Sequence, residues 1–129
     1  MTRDSDVGNP SLVVVVDDSE SVRESVPELL RYAGFDVQAF ASAEAFLESP
    51  TVDETNCLVL DVGLPGMSGL DLQLELKRRG VDIPIVFITA QGDKSLRPRL
   101  IGRGAAACLF KPFGDSELLE AVNRALEVR

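Results

Sequence analysis

The run Leu12-Val13-Val14-Val15-Val16-Asp17-Asp18 decides the fold. Leu12 to Val16 is apolar throughout and β-branched from Val13 on, without the polar alternation of a strand that has one face in water. A strand written this way is covered on both faces, and parallel sheets packed between helices are where such strands occur. Four further apolar runs follow at Asp36 to Phe40, Cys57 to Leu60, Ile83 to Ile88 and Ala106 to Phe110, each trailed by a segment of helix-forming composition.

Five such units predict an α/β chain with the flavodoxin-like (βα)5 three-layer sandwich, its parallel strands in the order 2-1-3-4-5, because right-handed crossovers leave few other topologies. The first helix, Ser19 to Tyr32, places Val22, Val26, Leu29 and Leu30 at helical spacing and stops at Gly34, while Pro27 removes a backbone donor and predicts a bend. Leu70, Leu72, Leu74 and Leu76 alternate like a strand. Ser68-x-x-Asp71 ahead of them reads as a capping box, and Lys77-Arg78-Arg79-Gly80 reads as a helix end, so a helix is predicted there. Pro98 and Gly102 make the segment Lys94 to Arg103 a short or distorted helix. The last helix, Ser116 to Val128, is expected to be capped by Asp115 or Ser116.

A chain of 129 residues fits one domain, and it buries roughly two-thirds of its unfolded surface without needing metals or cross-links. Residues 1–11 are polar and are read as a flexible tail before a domain spanning 12–129. No stretch of about 18 apolar residues exists to span a bilayer, and the start lacks the basic and apolar regions of a signal peptide, so a cytoplasmic protein is expected. With 13 Lys plus Arg against 21 Asp plus Glu, the net charge of −8 argues against direct contact with nucleic acid or anionic lipid. Histidine is absent, which excludes Ser-His and Cys-His catalysis, histidine zinc ligands and a histidine phosphoacceptor. Cys57 and Cys108 lie in apolar runs and read as small buried hydrophobes, with an intervening strand too wide for a disulfide.

In a parallel sheet all strands point their C-terminal ends at one edge, where ligands of this architecture bind. The sequence puts Asp17 and Asp18 after strand 1, Asp61 after strand 3, Thr89 after strand 4 and Lys111 after strand 5. Each has an ordinary structural reading alone, as turn former, cap, core residue or surface charge. Together they place three carboxylates, a hydroxyl and an ammonium on one rim. Such a set is tolerable with a hard divalent cation among the acids, and oxygen ligands favour Mg2+.

Four segments then carry a resemblance: Val13-Val14-Val15-Val16-Asp17-Asp18, Leu60-Asp61-Val62-Gly63-Leu64-Pro65-Gly66-Met67-Ser68-Gly69, Ile88-Thr89-Ala90 and Phe110-Lys111-Pro112-Phe113. In order and spacing they resemble the signatures of the response-regulator receiver domain, closest to FixJ-like receivers, over Leu12 to Val128. The resemblance implies a module of two-component signalling, with no substrate turnover, in which Asp61 accepts a phosphoryl group from a sensor histidine kinase or phosphotransfer protein. It also implies Mg2+ held by Asp17, Asp18, Asp61 and the backbone carbonyl of Gly63, with Thr89 and Lys111 as transition-state partners. A cis Lys111-Pro112 peptide is implied as well. Output would pass through the face of helix 4, strand 5 and helix 5 to an output domain, an effector or a second copy.

One departure stands out. Receivers commonly carry Tyr or Phe three residues before the lysine, whereas this chain has Cys108, so the expected signal path is the backbone from Thr89 to Arg103. Between Lys94 and Gly114 the chain has Lys94, Arg97, Arg99, Arg103 and Lys111 and no acid, which reads either as a solvated face or as a docking surface for an acidic partner. The main alternative is a receiver-like binding module that works without phosphorylation. A haloacid-dehalogenase-type phosphatase would need Asp-x-Asp after strand 1, where Asp17-Asp18-Ser19 stands, and a flavin carrier would want hydroxyls and N–H groups at the acidic rim. Both a stand-alone regulator and the receiver part of a longer protein fit the sequence.

Overall fold

The computed structural model describes residues 10–90 and 95–127. The parts of the expected tail at 1–9, of the Thr89 to Arg103 path at 91–94, and of the last helix at 128–129 lie outside the described residues. The chain runs β1 (Leu12–Val16), α1 (Glu20–Tyr32), β2 (Asp36–Phe40), α2 (Ala43–Glu48), a 3-10 turn (Pro50–Glu54), β3 (Cys57–Asp61), α3 (Gly69–Arg78), β4 (Ile85–Ala90), α4 (Leu96–Gly102), β5 (Ala107–Lys111) and α5 (Asp115–Glu127). The five strands form one parallel sheet in the order β2-β1-β3-β4-β5, as the pattern of apolar runs required.

Burial on both faces of the sheet follows from the continuous runs. Val13, Val15, Val59, Val86, Ile88 and Leu109 pack with Val26 and Leu30 of α1 and with Leu118 and Val122 of α5. On the opposite face Val14, Val16, Leu58, Leu60, Phe87 and Cys108 pack with Phe46 of α2, Leu72 and Leu76 of α3, and Leu100 of α4. The alternating leucines of α3 resolve at helical spacing: Leu72 and Leu76 are buried, whereas Leu74 is 53% exposed. Cys57 and Cys108 are both buried and β4 stands between their strands, so the sheet order keeps them apart.

Local chemistry sets the element ends. The capping box of α3 forms as read, with Ser68 Oγ accepting the Asp71 N–H at 3.1 Å and Asp71 Oδ2 accepting the Ser68 N–H at 3.3 Å. Gly34 takes φ +103° just past α1, which a glycine permits. Pro27 stands inside α1, and the helix continues through it to Tyr32. β3 and β5 run one residue further than expected, to Asp61 and Lys111, and two other boundaries differ for a local reason. The last helix is capped by Gly114 rather than by Asp115 or Ser116: the Leu118 N–H donates to the Gly114 carbonyl at 3.1 Å, and Glu117 Oε1 accepts the Gly114 N–H at 3.3 Å. The fourth strand starts at Ile85, because Pro84 has no N–H, although its carbonyl still accepts the Leu58 N–H at 3.0 Å.

α4 is short, as Pro98 and Gly102 predicted. Its C-terminal end is held from α3: Gln73 Nε2 and Lys77 Nζ both donate to the Arg103 carbonyl, at 3.1 and 3.0 Å. Among the described residues no helix is long and apolar enough to cross a membrane.

Candidate functional site

The five rim residues are carried by strand ends, more deeply than expected. Asp17 follows β1 directly, whereas Asp61, Thr89 and Lys111 lie within the strands themselves, with their backbones in register with Ile88, Phe110 and Ala90. The sheet ladder therefore fixes the backbone of three of the groups, and placement on regular elements is what a site of defined geometry needs.

Asp17 is fully buried, and nearly all of its polar atoms are engaged. Its N–H donates to the Phe40 carbonyl at 3.1 Å, its carbonyl accepts from Arg23 Nη1 at 3.0 Å, and Oδ1 accepts the Ser19 N–H at 2.8 Å. Oδ2 lies 3.1 Å from Lys111 Nζ as an ion partner, yet has no hydrogen-bond donor among the described residues. Asp61 is 6% exposed; Oδ1 accepts the Gly63 N–H at 3.1 Å and Oδ2 lies 3.9 Å from Lys111 Nζ. Asp18 is exposed at the mouth, and one carboxylate oxygen from each of Asp17, Asp18 and Asp61 falls within 4.8 Å of the others. Thr89 is buried. Asp17, Asp18, Asp61 and Lys111 thus come together at the C-terminal edge of the sheet, with Thr89 near the end of the adjoining β4.

Burial pushes the Asp61 carboxyl above its ordinary 3.8; the Gly63 N–H opposes this, the Asp17 charge adds to it, Lys111 opposes it, and Asp18 adds to it. Three carboxylates against one ammonium leave two negative charges in excess when all are ionised. A divalent cation offsets two. The donors are oxygens only, and the buried Asp17 Oδ2 lacks a donor, so the set fits a hard ion such as Mg2+ and not a thiolate- or imidazole-seeking metal.

The loop from Val62 to Ser68 joins Asp61 to α3. Gly69 donates its N–H to the Val62 carbonyl at 3.1 Å, and a Cβ at this position would lie 2.6 Å from the Asp61 carbonyl oxygen. Glu44 of α2 reaches the same loop, its Oε2 accepting the Met67 N–H at 3.0 Å. The Arg23 and Glu44 contacts were not foreseen: they join segments 6 and 23 residues apart, and no residue type or spacing in the sequence signals them. The Lys111-Pro112 peptide is cis, as the resemblance implied. Cys108 is fully buried in the cluster that holds Phe87 and Leu100, and burial raises its thiol pKa, with Arg97 opposing.

Comparison with known proteins agrees with this arrangement. Residues 13–123 match the family described as response regulator receiver domain. Nodulation protein W of Bradyrhizobium diazoefficiens is 48% identical over 123 residues, covering 95% of this chain and 54% of that protein. The transcriptional regulatory protein TdiR of Thauera aromatica is 44% identical, covering 92% of this chain and 52% of that protein. Among solved structures, the response regulator StyR superposes with a TM-score of 0.84 at 46% identity, over 92% of this chain and 60% of that one. FixJ-N superposes at 0.82 with 36% identity, over 92% and 95%. The chain spans about half the length of the curated relatives it matches.

Proposed function

Because this chain belongs to the response regulator receiver family of two-component systems, we propose that it is a phosphoacceptor switch in which Asp61 takes a phosphoryl group from a partner's phosphohistidine. The observation that carries the reading is the convergence of Asp17, Asp18 and Asp61 within 4.8 Å, with Lys111 the ammonium among them.

One Asp61 carboxylate oxygen attacks phosphorus, the O–P bond forms as the P–N bond breaks, and the electron pair leaves on the imidazole nitrogen, which takes up a proton. Burial raises the Asp61 carboxyl above its ordinary pKa, and the Gly63 N–H on Oδ1 orients it. Lys111, shared between Asp17 and Asp61, brings positive charge to the phosphoryl oxygens, and the Thr89 hydroxyl donates to one of them. Mg2+ would be held by Asp17, Asp18, Asp61 and the Gly63 carbonyl, and when bound it supplies compensation for charge on the transferring group. No substrate turns over; the product is the modified chain itself.

The partner is a histidine kinase or phosphotransfer protein in the cytoplasm, and the outgoing surface is that of α4, β5 and α5. Arg97, Arg99 and Arg103 are exposed on or beside α4, and this face would suit an acidic effector, an output domain or a second copy. Partner binding that falls steeply with added salt would support this surface, and salt-independent binding would count against it.

Intact-protein mass after incubation with Mg2+ and a small phosphodonor tests the site. A labile gain of one phosphoryl group in the native chain and none in Asp61→Asn is expected. No gain in the native chain, with no Mg2+ binding, would leave a receiver fold that works by binding alone.

A further inference from the structure

We propose that Glu44 is a positioning residue of the phosphoacceptor site, its carboxylate latching the apex of the β3–α3 loop and so fixing the backbone at Gly63 beside Asp61. The inference rests on the reading of Asp61 given above.

The loop must turn sharply while leaving Gly63 open to the site, and most of its length is held from within. The Gly63 N–H binds Asp61 Oδ1, Leu64 is buried, Ser68 and Asp71 close the capping box, and the Gly69 N–H binds the Val62 carbonyl. The apex, Pro65-Gly66-Met67, receives a bond from another element: Glu44 Oε2 accepts the Met67 N–H at 3.0 Å. Gly66 passes so close that a Cβ there would lie 2.9 Å from the same oxygen, and its φ of +72° already favours glycine. Glu44 is itself well placed, since Ser42 caps α2 by accepting the Ala45 N–H at 3.0 Å. α2 follows β2, whose C-terminal end shares the acidic rim, so charge alone argues against another acid there. The hydrogen bond to Met67 supplies the reason for one. Met67 lies three positions after Leu64 and four after Gly63, so an apex free to shift carries the Gly63 peptide with it.

The test compares Glu44→Ala and Glu44→Gln with the native chain in two measurements: amide hydrogen exchange across Gly63 to Met67 in metal-free protein, and Mg2+ affinity by titration calorimetry. Glu44→Ala is expected to speed exchange at Met67 and to weaken Mg2+ binding, each about fivefold, as loss of a loop-ordering hydrogen bond outside the ligand set predicts. Glu44→Gln, whose amide oxygen can accept the same N–H, should stay within about twofold of native in both. Unchanged exchange in Glu44→Ala overturns the latch. Equal loss of Mg2+ affinity in both variants overturns it too, since the charge and not the bond would then matter. Failure of the phosphoacceptor reading would look different: no phosphoryl gain in the native chain, while Met67 exchange still separates the two variants.

Discussion

Gly69→Ala should destabilise the chain although it places a better helix former at the first position of a helix. The added Cβ would lie 2.6 Å from the Asp61 carbonyl oxygen, 3.0 Å from Val62 Cα and 3.2 Å from the Asp61 carbonyl carbon. All three obstacles are backbone, tied into the β3–β4 ladder, so none can swing aside. Reaching ordinary van der Waals separation requires a retreat of about 0.8 Å by the start of α3 or the end of β3. Overpacking of that size costs about 1–3 kcal/mol, and the helix preference of Ala returns at most about 1 kcal/mol, less in a first turn. The net expectation is a loss of about 1–2 kcal/mol, or roughly 4–8 °C in Tm for a chain of this size. Gly102→Ala is the control, because its Cβ meets nothing within 4 Å and its φ is not positive, so it should stabilise by about 0.5–1 kcal/mol. Urea unfolding followed by circular dichroism reads both. If Gly69→Ala matched or exceeded the native midpoint, the backbone contact would not be the constraint argued here.

Other outcomes follow from the same contacts. In metal-free buffer Asp61→Asn should raise stability at neutral pH: burial and then the Asp17 charge hold the Asp61 pKa above 3.8, against Gly63 and Lys111. The folded chain therefore binds that proton more tightly than the unfolded one, and its contribution is present below about 3.8 and lost as pH rises through the folded value. The urea-midpoint gap between Asp61→Asn and native should be widest near about pH 7 and close on acidification; a gap that widens on acidification contradicts the sign. Combining Gln73→Leu with Lys77→Ala strips the Arg103 carbonyl of both donors and should cost about 1 kcal/mol, with faster amide exchange in α4 and unchanged exchange in α1. Uniform exchange across both helices would show that the pair does not anchor α4. Cys108→Tyr should lower stability by about 1–3 kcal/mol through overpacking, and a Tm equal to native would mean the core beneath α4 has room for a ring.

The sheet was legible because burial on two faces writes itself as uninterrupted apolar runs, and the order of strands follows once helices must cover both sides. The site was legible for a related reason: in a parallel sheet strand ends share an edge, so Asp17, Asp61, Thr89 and Lys111 could be brought together by counting strands. Less visible were features set by single backbone atoms. Gly114 caps α5 because Glu117 reaches back to its N–H, although two better capping residues follow it. Pro84 ends the strand's donors yet keeps its carbonyl in the ladder. Arg23 and Glu44 join the site through contacts with main-chain groups, and main-chain groups carry no residue identity to read. The 3-10 turn at Pro50–Glu54, with Ser49 Oγ accepting the Thr51 N–H at 3.2 Å, was hidden inside a connection read only as helix-forming.

With Gln73 and Lys77 both bonded to the Arg103 carbonyl, any tilt of α4 would pivot at its C-terminal end. Seven residues of helix make an arm of about 10 Å, so a tilt of about 10° about the pinned carbonyl carries the far end through about 2 Å. Displacement entering from the Thr89 side would accordingly grow from Arg103 through Arg99 to Arg97, and the guanidinium stacked 6.0 Å over the Phe110 ring would travel furthest of the three. A tilt of that kind would move the exposed face as a graded sweep about one stationary end, largest at Arg97 and smallest at Arg103.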